Sequence, residues 1–419
     1  MFESTNIHGT IIEDNECWAL FQKWLVLNNC SISSLVLAHF SDTGRGLMAT
    51  SDFQIGDPVV RIPARLLLVP RRTHKLFNNH PAIVALKQHP SIALFIAWQK
   101  IHPTPEWSPY IDILPRSFDT MPLCIDLKLL AMLPYDIQEI AKNQQIKLDT
   151  DYAFVCTALA VSGYEMIPKD IFKWAWIVVN TRCITMNTNA ISKPQLSHIH
   201  QQPIITLAPF LDCLNHTSTA RISAGYDTVE KAYIIRTLVP YKKGSQVFIN
   251  YGPHDNNFLL AEYGFAILKN PFNHVVLDRE VDFMMQHFGT VSDLLKSEGL
   301  YGEFIIANDD LGYRLMNAMR LYVAVSQGSD LSSVLPAWRS VLGGTLQYIS
   351  KDLEKATLQQ LIRICVDKLN WFQQSLVTMD AAEYEEFKFA TVFTRQIVNE
   401  AVEILQEAIE LATDNIASI

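Results

Sequence analysis

Residues 211–216 read Leu-Asp-Cys-Leu-Asn-His, and residues 244–252 read Gly-Ser-Gln-Val-Phe-Ile-Asn-Tyr-Gly. The reading of these two short segments decides the fold. The first follows Pro209-Phe210 and sets Asp212, Asn215 and His216 in one loop, with several donors and acceptors for a polar ligand. Taken alone, turn capping by Asp212 and Asn215 accounts for it more simply, and no second His or carboxylate stands at metal-ligand spacing. The second segment is a strand running into a turn and ends on the Tyr251 hydroxyl. Between the two, β character recurs at 221–226 and 231–239, where Tyr233–Thr237 precede the Pro240…Gly244 turn. About a dozen residues beyond Tyr251, Tyr263-Gly264-Phe265 adds two more aromatics.

Working outward, residues 34–70 also read as short β pieces, punctuated by Gly44, Gly46, Gly56-Asp57-Pro58, Pro63 and Pro70. In Gly44-Arg45-Gly46-Leu47 the glycines let backbone groups approach a ligand closely, although a plain turn explains the pattern as well. Residues 75–190 are mainly helical, with apolar periodicity through Ala85–Trp98, Asp136–Ile146 and Tyr152–Val161, and Pro-rich breaks near 103–122. Strand character returns at 203–210 and 246–250. From about 280 the pattern is helical, clearest over Asp310–Gln327 and Ala382–Ala412, and Trp18, Phe21, Trp24 and Leu25 predict an amphipathic helix within 13–29. Two β-rich pieces that must pair across a helical stretch imply one non-local sheet domain carrying an insertion. The expected fold is α+β: an N-terminal helix over 1–30, small irregular sheets over 31–275 split by a helical insert at about 75–200, and an all-α domain over 276–419.

The chain has 419 residues, 49% hydrophobic and 18% charged, which suits two or three globular domains. Its first residues lack the basic start and apolar core of a signal peptide, and apolar stretches such as Ile92–Trp98 are too short to span a bilayer. A soluble protein of the cytoplasm, the nucleus or both is expected, without a membrane partner. The seven cysteines form no CxxC pair, so reduced thiols are expected rather than a disulfide scaffold or zinc site. Of the net charge of −9, residues 281–419 carry all: 10 Lys/Arg against 19 Asp/Glu. Such a surface repels nucleic acid and suits a basic protein partner, though solvated helix faces explain it equally.

In this order, Gly44-Arg45-Gly46-Leu47, Asp212…Asn215-His216, Gly244…Tyr251-Gly252 and Tyr263-Gly264-Phe265 resemble the SET-domain protein methyltransferases. More narrowly, the chain resembles the branch that includes the Rubisco large-subunit lysine methyltransferase. Phe21–Leu25 is similar to that branch's N-terminal helix, Trp107-Ser108-Pro109-Tyr110…Leu114-Pro115 to its insert, and Leu315…Arg320-Leu321 to a helix of its substrate-binding domain. The resemblance implies a SET fold whose pseudoknot-like threading brings Asn215-His216 beside Tyr251. It implies S-adenosylmethionine as cofactor, S-adenosylhomocysteine as product, and no metal. Gly44, Arg45, Gly46, Leu47, Arg182, Asp212, Asn215, His216, Tyr251 and Phe265 would contact the cofactor. Tyr251 would serve methyl transfer, and Tyr263 and Tyr226 would wall the substrate channel. The acceptor implied is a lysine of a non-histone protein, such as a basic ribosomal protein, and a monomer is expected.

Two alternatives stay open. One branch member methylates a histidine in actin, so a histidine acceptor is the first. The second is an inactive binding module, prompted by Val69-Pro70-Arg71-Arg72 standing where the branch has an acidic cofactor contact. The cysteine-rich segment that follows many histone-directed SET domains is also missing, since Phe265 is followed by Ala-Ile-Leu-Lys-Asn-Pro.

Overall fold

The computed structural model describes residues 9–12, 16–32, 34–186, 203–381 and 388–419. By compactness the chain divides into Met1–Phe118 with Asn143–Pro253, and Asp119–Lys142 with His254–Ile419. The expected domain limit at 275 falls inside the second unit, and residues 187–200 of the expected insert lie outside the described residues.

In the first unit, Leu35–Phe40 and Gly44–Ala49 form an antiparallel hairpin with Thr10–Ile11 on its edge. Pro58–Pro63 pairs with Ala232–Thr237, which pairs in turn with Ile222–Asp227. This is the expected non-local sheet, with Arg61 opposite Ile234 across the insert. Val59, Val60, Ile62, Ile234 and Ile235 are all buried, which is why these strands read as near-continuous apolar runs. Two further pairs escaped the sequence pattern. Cys183–Met186 pairs with Ile204–Leu207, and Asn215–His216 runs parallel to Phe248–Ile249.

The insert differs from expectation in two places. The β texture expected up to residue 70 gives way to a helix at Pro70–Leu76, where proline at the first position costs no hydrogen bond. The helices expected at Asp136–Ile146 and Tyr152–Val161 are one, Tyr135–Ser162. No Gly or Pro interrupts it, and at its middle Leu148 and Asp151 are buried, Asp151 accepting a 2.9 Å hydrogen bond from Trp176 Nε1.

The N-terminal helix, Glu16–Leu27, buries Trp18, Phe21, Trp24 and Leu25 as one stripe; residues 13–15 of the expected helix lie outside the described residues. Trp24 Nε1 donates to Glu106 O at 2.7 Å, the Trp24 ring lies 6.0 Å from Trp107, and Phe21 lies 6.0 Å from Tyr110. Arg72 stacks over Trp107 at 5.3 Å, so one of the two arginines of the anomalous Pro70-Arg71-Arg72 run serves packing.

The second unit is built on helices Tyr313–Ser326, Leu331–Leu342, Lys351–Ala381 and Lys388–Ser418. Residues 382–387 of the expected last helix lie outside the described residues. Trp338, Phe304, Phe372, Leu315, Leu361 and Leu405 fill its core, each such side chain worth about 1.5–3 kcal/mol on burial. The helix expected from Asp310 starts at Tyr313, because the Asp310 side chain accepts from Gly312 N (2.8 Å) and Gly312 takes φ 81. Arg320 and Glu354 form a two-point ion pair (2.8 and 2.6 Å) between helices of this core. No described helix is long and apolar enough to cross a membrane.

Candidate active site

Three segments far apart in sequence meet in the first unit. Asn215 Nδ2 donates to Arg45 O (3.1 Å) and to Gln246 Oε1 (2.8 Å), and Gln246 Nε2 donates to Thr43 Oγ1 (2.8 Å). Val247 N donates to Leu47 O at 2.9 Å. Gly46 lies at the centre, where a Cβ would stand 2.6 Å from Gln246 Oε1 and 2.7 Å from Asn215 Nδ2. The Gly-Arg-Gly-Leu run is therefore a strand rather than a turn. Gly44 enters it in the left-handed region (φ 67) with open space where its side chain would be, so the backbone there can be approached closely. The Leu47 side chain lies wholly in the core, which leaves its backbone as the part a ligand could meet.

The parallel pairing places Asn215 opposite Phe248 and His216 opposite Ile249. Just past it, Tyr251 N donates to His216 Nδ1 at 3.0 Å, and the Tyr251 hydroxyl donates to Leu214 O at 2.8 Å. His216 is buried. Accepting at Nδ1 fixes its ring as the neutral tautomer with the proton on Nε2, and the two rings lie 5.1 Å apart. Asn250, which the sequence reading passed over, holds the turn by donating to Ser218 O (3.1 Å) and accepting from Gly252 N (2.8 Å).

A second cluster closes on Asp212. Its carboxylate is fully buried, and its backbone turn makes no side-chain cap, contrary to the turn-capping expectation. Asp212 Oδ2 accepts from Tyr110 OH at 2.9 Å and from Arg182 Nη1 at 3.4 Å, while Asp212 O accepts from the same Nη1 at 2.6 Å. Asp212, expected to supply a polar contact near the cofactor, is engaged here with Arg182 and Tyr110 through Oδ2 and its backbone O. Burial presses the Arg182 pKa down, but Asp212, then Cys213, Tyr110 and Tyr251, outweigh it and hold the guanidinium charged. Burial, then the Asp212 charge, pushes Tyr110 well up, so it stays a hydroxyl donor. Burial likewise pushes the Cys213 thiol up to about 12. Phe210, just before this turn, is held at φ 79, a conformation that costs a bulky residue about 1–3 kcal/mol.

Arg182 Nε is buried without an acceptor among the described residues, an omission worth about 1–3 kcal/mol unless a ligand fills it. The Gly44 backbone, open where a side chain would be, and the Asn215 side-chain amide supply further donors and acceptors of the kinds that suit a ligand bearing a carboxylate and amino groups.

The remaining candidates lie elsewhere. Tyr226 stands opposite Tyr233 on the Ile222–Asp227 strand, half-buried, with its pKa raised by that burial. Tyr263 and Phe265 belong to the second unit, their rings 6.2 Å apart. Gly264 between them takes φ 81, and a Cβ there would meet Thr120 Oγ1 at 2.8 Å. Gln246, Thr43 and Asn250 were not singled out, and Tyr110 was quoted without a role. For Gln246 the available signal was a lone amide at the mouth of an apolar strand, and it turns out 3% exposed.

A family model described as SET domain matches residues 44–252. The mouse SET domain-containing protein 4 is 28% identical over 367 residues, spanning 83% of this chain and 80% of that protein. Ribosomal lysine N-methyltransferase set11 of Schizosaccharomyces pombe is 25% identical, over 78% and 83% of the two chains. The structure of Rubisco LSMT bound to AdoMet superposes with a TM-score of 0.67 at 18% identity, over 96% of this chain and 93% of that one.

Proposed function

We propose, from the chain's membership of the SET-domain family in its Rubisco large-subunit methyltransferase-like branch, that it is an S-adenosylmethionine-dependent protein-lysine N-methyltransferase acting on a non-histone protein. The observation that carries this reading is the junction of Gly44–Leu47, Asn215-His216 and Tyr251, together with the buried Arg182 Nε donor, which has no acceptor among the described residues. When bound, the cofactor supplies an electrophilic sulfonium methyl for a single in-line displacement. Arg182 Nε would hold its carboxylate, and the Gly44–Gly46 backbone with Asn215 would hold its polar groups. The transfer forms one N–C bond as one S–C bond breaks, so the incoming amine must be neutral, its proton having gone to solvent. Burial and a nearby cation both lower an amine's pKa and favour that form. The Tyr251 hydroxyl donates its hydrogen bond to Leu214 O, which leaves the lone pairs of the phenol oxygen to accept. It can orient the amine N–H and steady the polarised methyl through weak C–H···O contacts.

A basic protein substrate is part of the proposal. Glu403, Glu407, Glu410 and Asp414 recur at helical spacing on the last helix and all are exposed, a stripe that would attract it. The compartment proposed is the cytoplasm or nucleus, where the seven free cysteines would stay reduced. The test is incubation of purified protein with labelled S-adenosylmethionine and a proteome extract. A discrete labelled band is expected, and mass spectrometry of its N-methyl-lysine or N-methyl-histidine decides the acceptor. No labelling above a heat-killed control, together with no binding of S-adenosylhomocysteine, refutes the proposal.

A further inference from the structure

We infer that Tyr110 of the helical insert, acting through Asp212, is a positioning residue that sets Arg182 for the cofactor. The inference rests on the function proposed above. The Ser108–Ile111 helix belongs to a motif whose likeness to the family carried no role for its tyrosine. Here that tyrosine is fully buried and gives the Asp212 carboxylate its best hydrogen bond, 2.9 Å against 3.4 Å from Arg182. Asp212 in turn shares Arg182 Nη1 between its carbonyl and its carboxylate, and Nε is left over. A buried carboxylate needs donors on its oxygens. While the Tyr110 hydroxyl supplies one, the guanidinium need not turn toward Asp212, and Nε stays directed elsewhere. Remove the hydroxyl, and the nearest replacement is Arg182 itself, whose rotation would take Nε out of use.

Two further contacts hold the segment in place without touching the Tyr110 hydroxyl. Phe21 of the N-terminal helix packs on the Tyr110 ring at 6.0 Å. Beyond the short helix, Pro115 O accepts from Trp174 Nε1 at 2.8 Å, a tie to the Lys169–Arg182 helix that serves stability. A purely structural reading predicts that all these contacts matter alike, through stability. The positioning reading predicts that the hydroxyl matters selectively, through cofactor affinity.

The experiment measures S-adenosylhomocysteine affinity by calorimetry and steady-state kinetics against S-adenosylmethionine for the whole protein and three variants. Tyr110→Phe keeps the ring and removes the hydroxyl. It is expected to weaken affinity by about ten- to 150-fold, the worth of one hydrogen bond to a charged group, with the KM for S-adenosylmethionine rising in step and kcat within about twofold. Tyr110→Met, which also lacks the hydroxyl but refills the space with a flexible apolar side chain, should show the same selective loss and serves if the first variant does not fold. Trp174→Phe cuts the other tie, and should lower the melting temperature while leaving affinity unchanged. Tyr110→Phe binding like wild type, or Trp174→Phe losing affinity equally, overturns the inference. If the wild-type protein does not bind S-adenosylhomocysteine at all, the failure lies with the proposed function, and the inference falls with it.

Discussion

Replacing Gly46 by alanine probes the three-segment junction at its tightest point. Gly46 has an ordinary backbone conformation, so the cost is one of space alone. The new methyl would press on Gln246 Oε1 at 2.6 Å and Asn215 Nδ2 at 2.7 Å, two atoms that hydrogen-bond each other at 2.8 Å. Side-chain ends usually yield cheaply, but these are tied: Asn215 to Arg45 O, and the buried Gln246 to Thr43. Displacing them breaks or bends two or three hydrogen bonds, for a loss of about 2–4 kcal/mol. Against this, alanine restricts the unfolded chain and returns about 0.4–1 kcal/mol, leaving a net destabilisation of roughly 1.5–3 kcal/mol. Urea denaturation measures it, and calorimetry with S-adenosylhomocysteine should show a parallel loss of affinity, because Asn215 moves. Gly44→Ala makes the contrast: at φ 67 but in open space, it should cost only about 1–2 kcal/mol of backbone strain and leave Asn215 in place. In a Gln246→Ala background the Gly46→Ala penalty should fall by about half, since one of the two crowded atoms is gone. A Gly46→Ala protein as stable as wild type, or a penalty unchanged in that background, would refute the reasoning.

Tyr251→Phe keeps the ring against His216 and removes the hydroxyl; turnover should fall by about a hundredfold with S-adenosylhomocysteine affinity within about threefold, and equal turnover would remove the hydroxyl from the reaction. His89 lies 4.7 Å from Trp176 with both ring nitrogens buried and without a hydrogen-bond partner among the described residues, and burial, then Lys147, drops its pKa from 6.5 to about 3. Because the folded-state value is depressed, its contribution is whole above pH 6.5 and is lost as pH falls toward 3, by up to about 1.4 kcal/mol per pH unit. His89→Leu should therefore flatten the acid limb of the stability profile, and an unchanged limb counts against it. Arg320→Met leaves Glu354 buried and unpaired, and should cost about 3–5 kcal/mol, much of it recovered by adding Glu354→Leu; a thermal melt that does not move would contradict the burial seen.

The outline of the fold was legible because strands such as Pro58–Pro63 and Ala232–Thr237 are mostly buried and leave near-continuous apolar runs, interrupted only by Arg61 and by Arg236 with its neighbouring Thr237. The candidate site was legible as far as its polar residues cluster in short motifs. Asn215-His216 and Phe248–Ile249 stand out as residues, but two-residue strands have no period, so their pairing could not be read. Gln246 and Thr43 are 203 residues apart, and nothing local marks either as a partner of the other. In the sequence Tyr110 is one residue of the motif that resembles the family's insert; its hydroxyl acquires meaning only when the chain brings Asp212 to it. Tyr135–Ser162 reads as two periodic stretches because the apolar pattern lapses between them, yet no Gly or Pro interrupts the helix, and at that lapse Asp151 is buried against Trp176.

The junction also fixes an order of events in the life of the chain. The strand bearing Gly44 and Gly46 leaves the ribosome long before Asn215, which caps it 170 residues later, and Gln246, which locks it after 203. The hairpin's own pairing is local, but closing loops of that length is entropically costly and slow, so the junction is completed only after both later segments are made. A ligand able to grip all three segments binds nothing until the last has arrived. It would act as a receipt for completed folding, raising the unfolding midpoint in proportion to the logarithm of its concentration and shielding the newborn chain from proteolysis only once Tyr251 has reached its place beside His216.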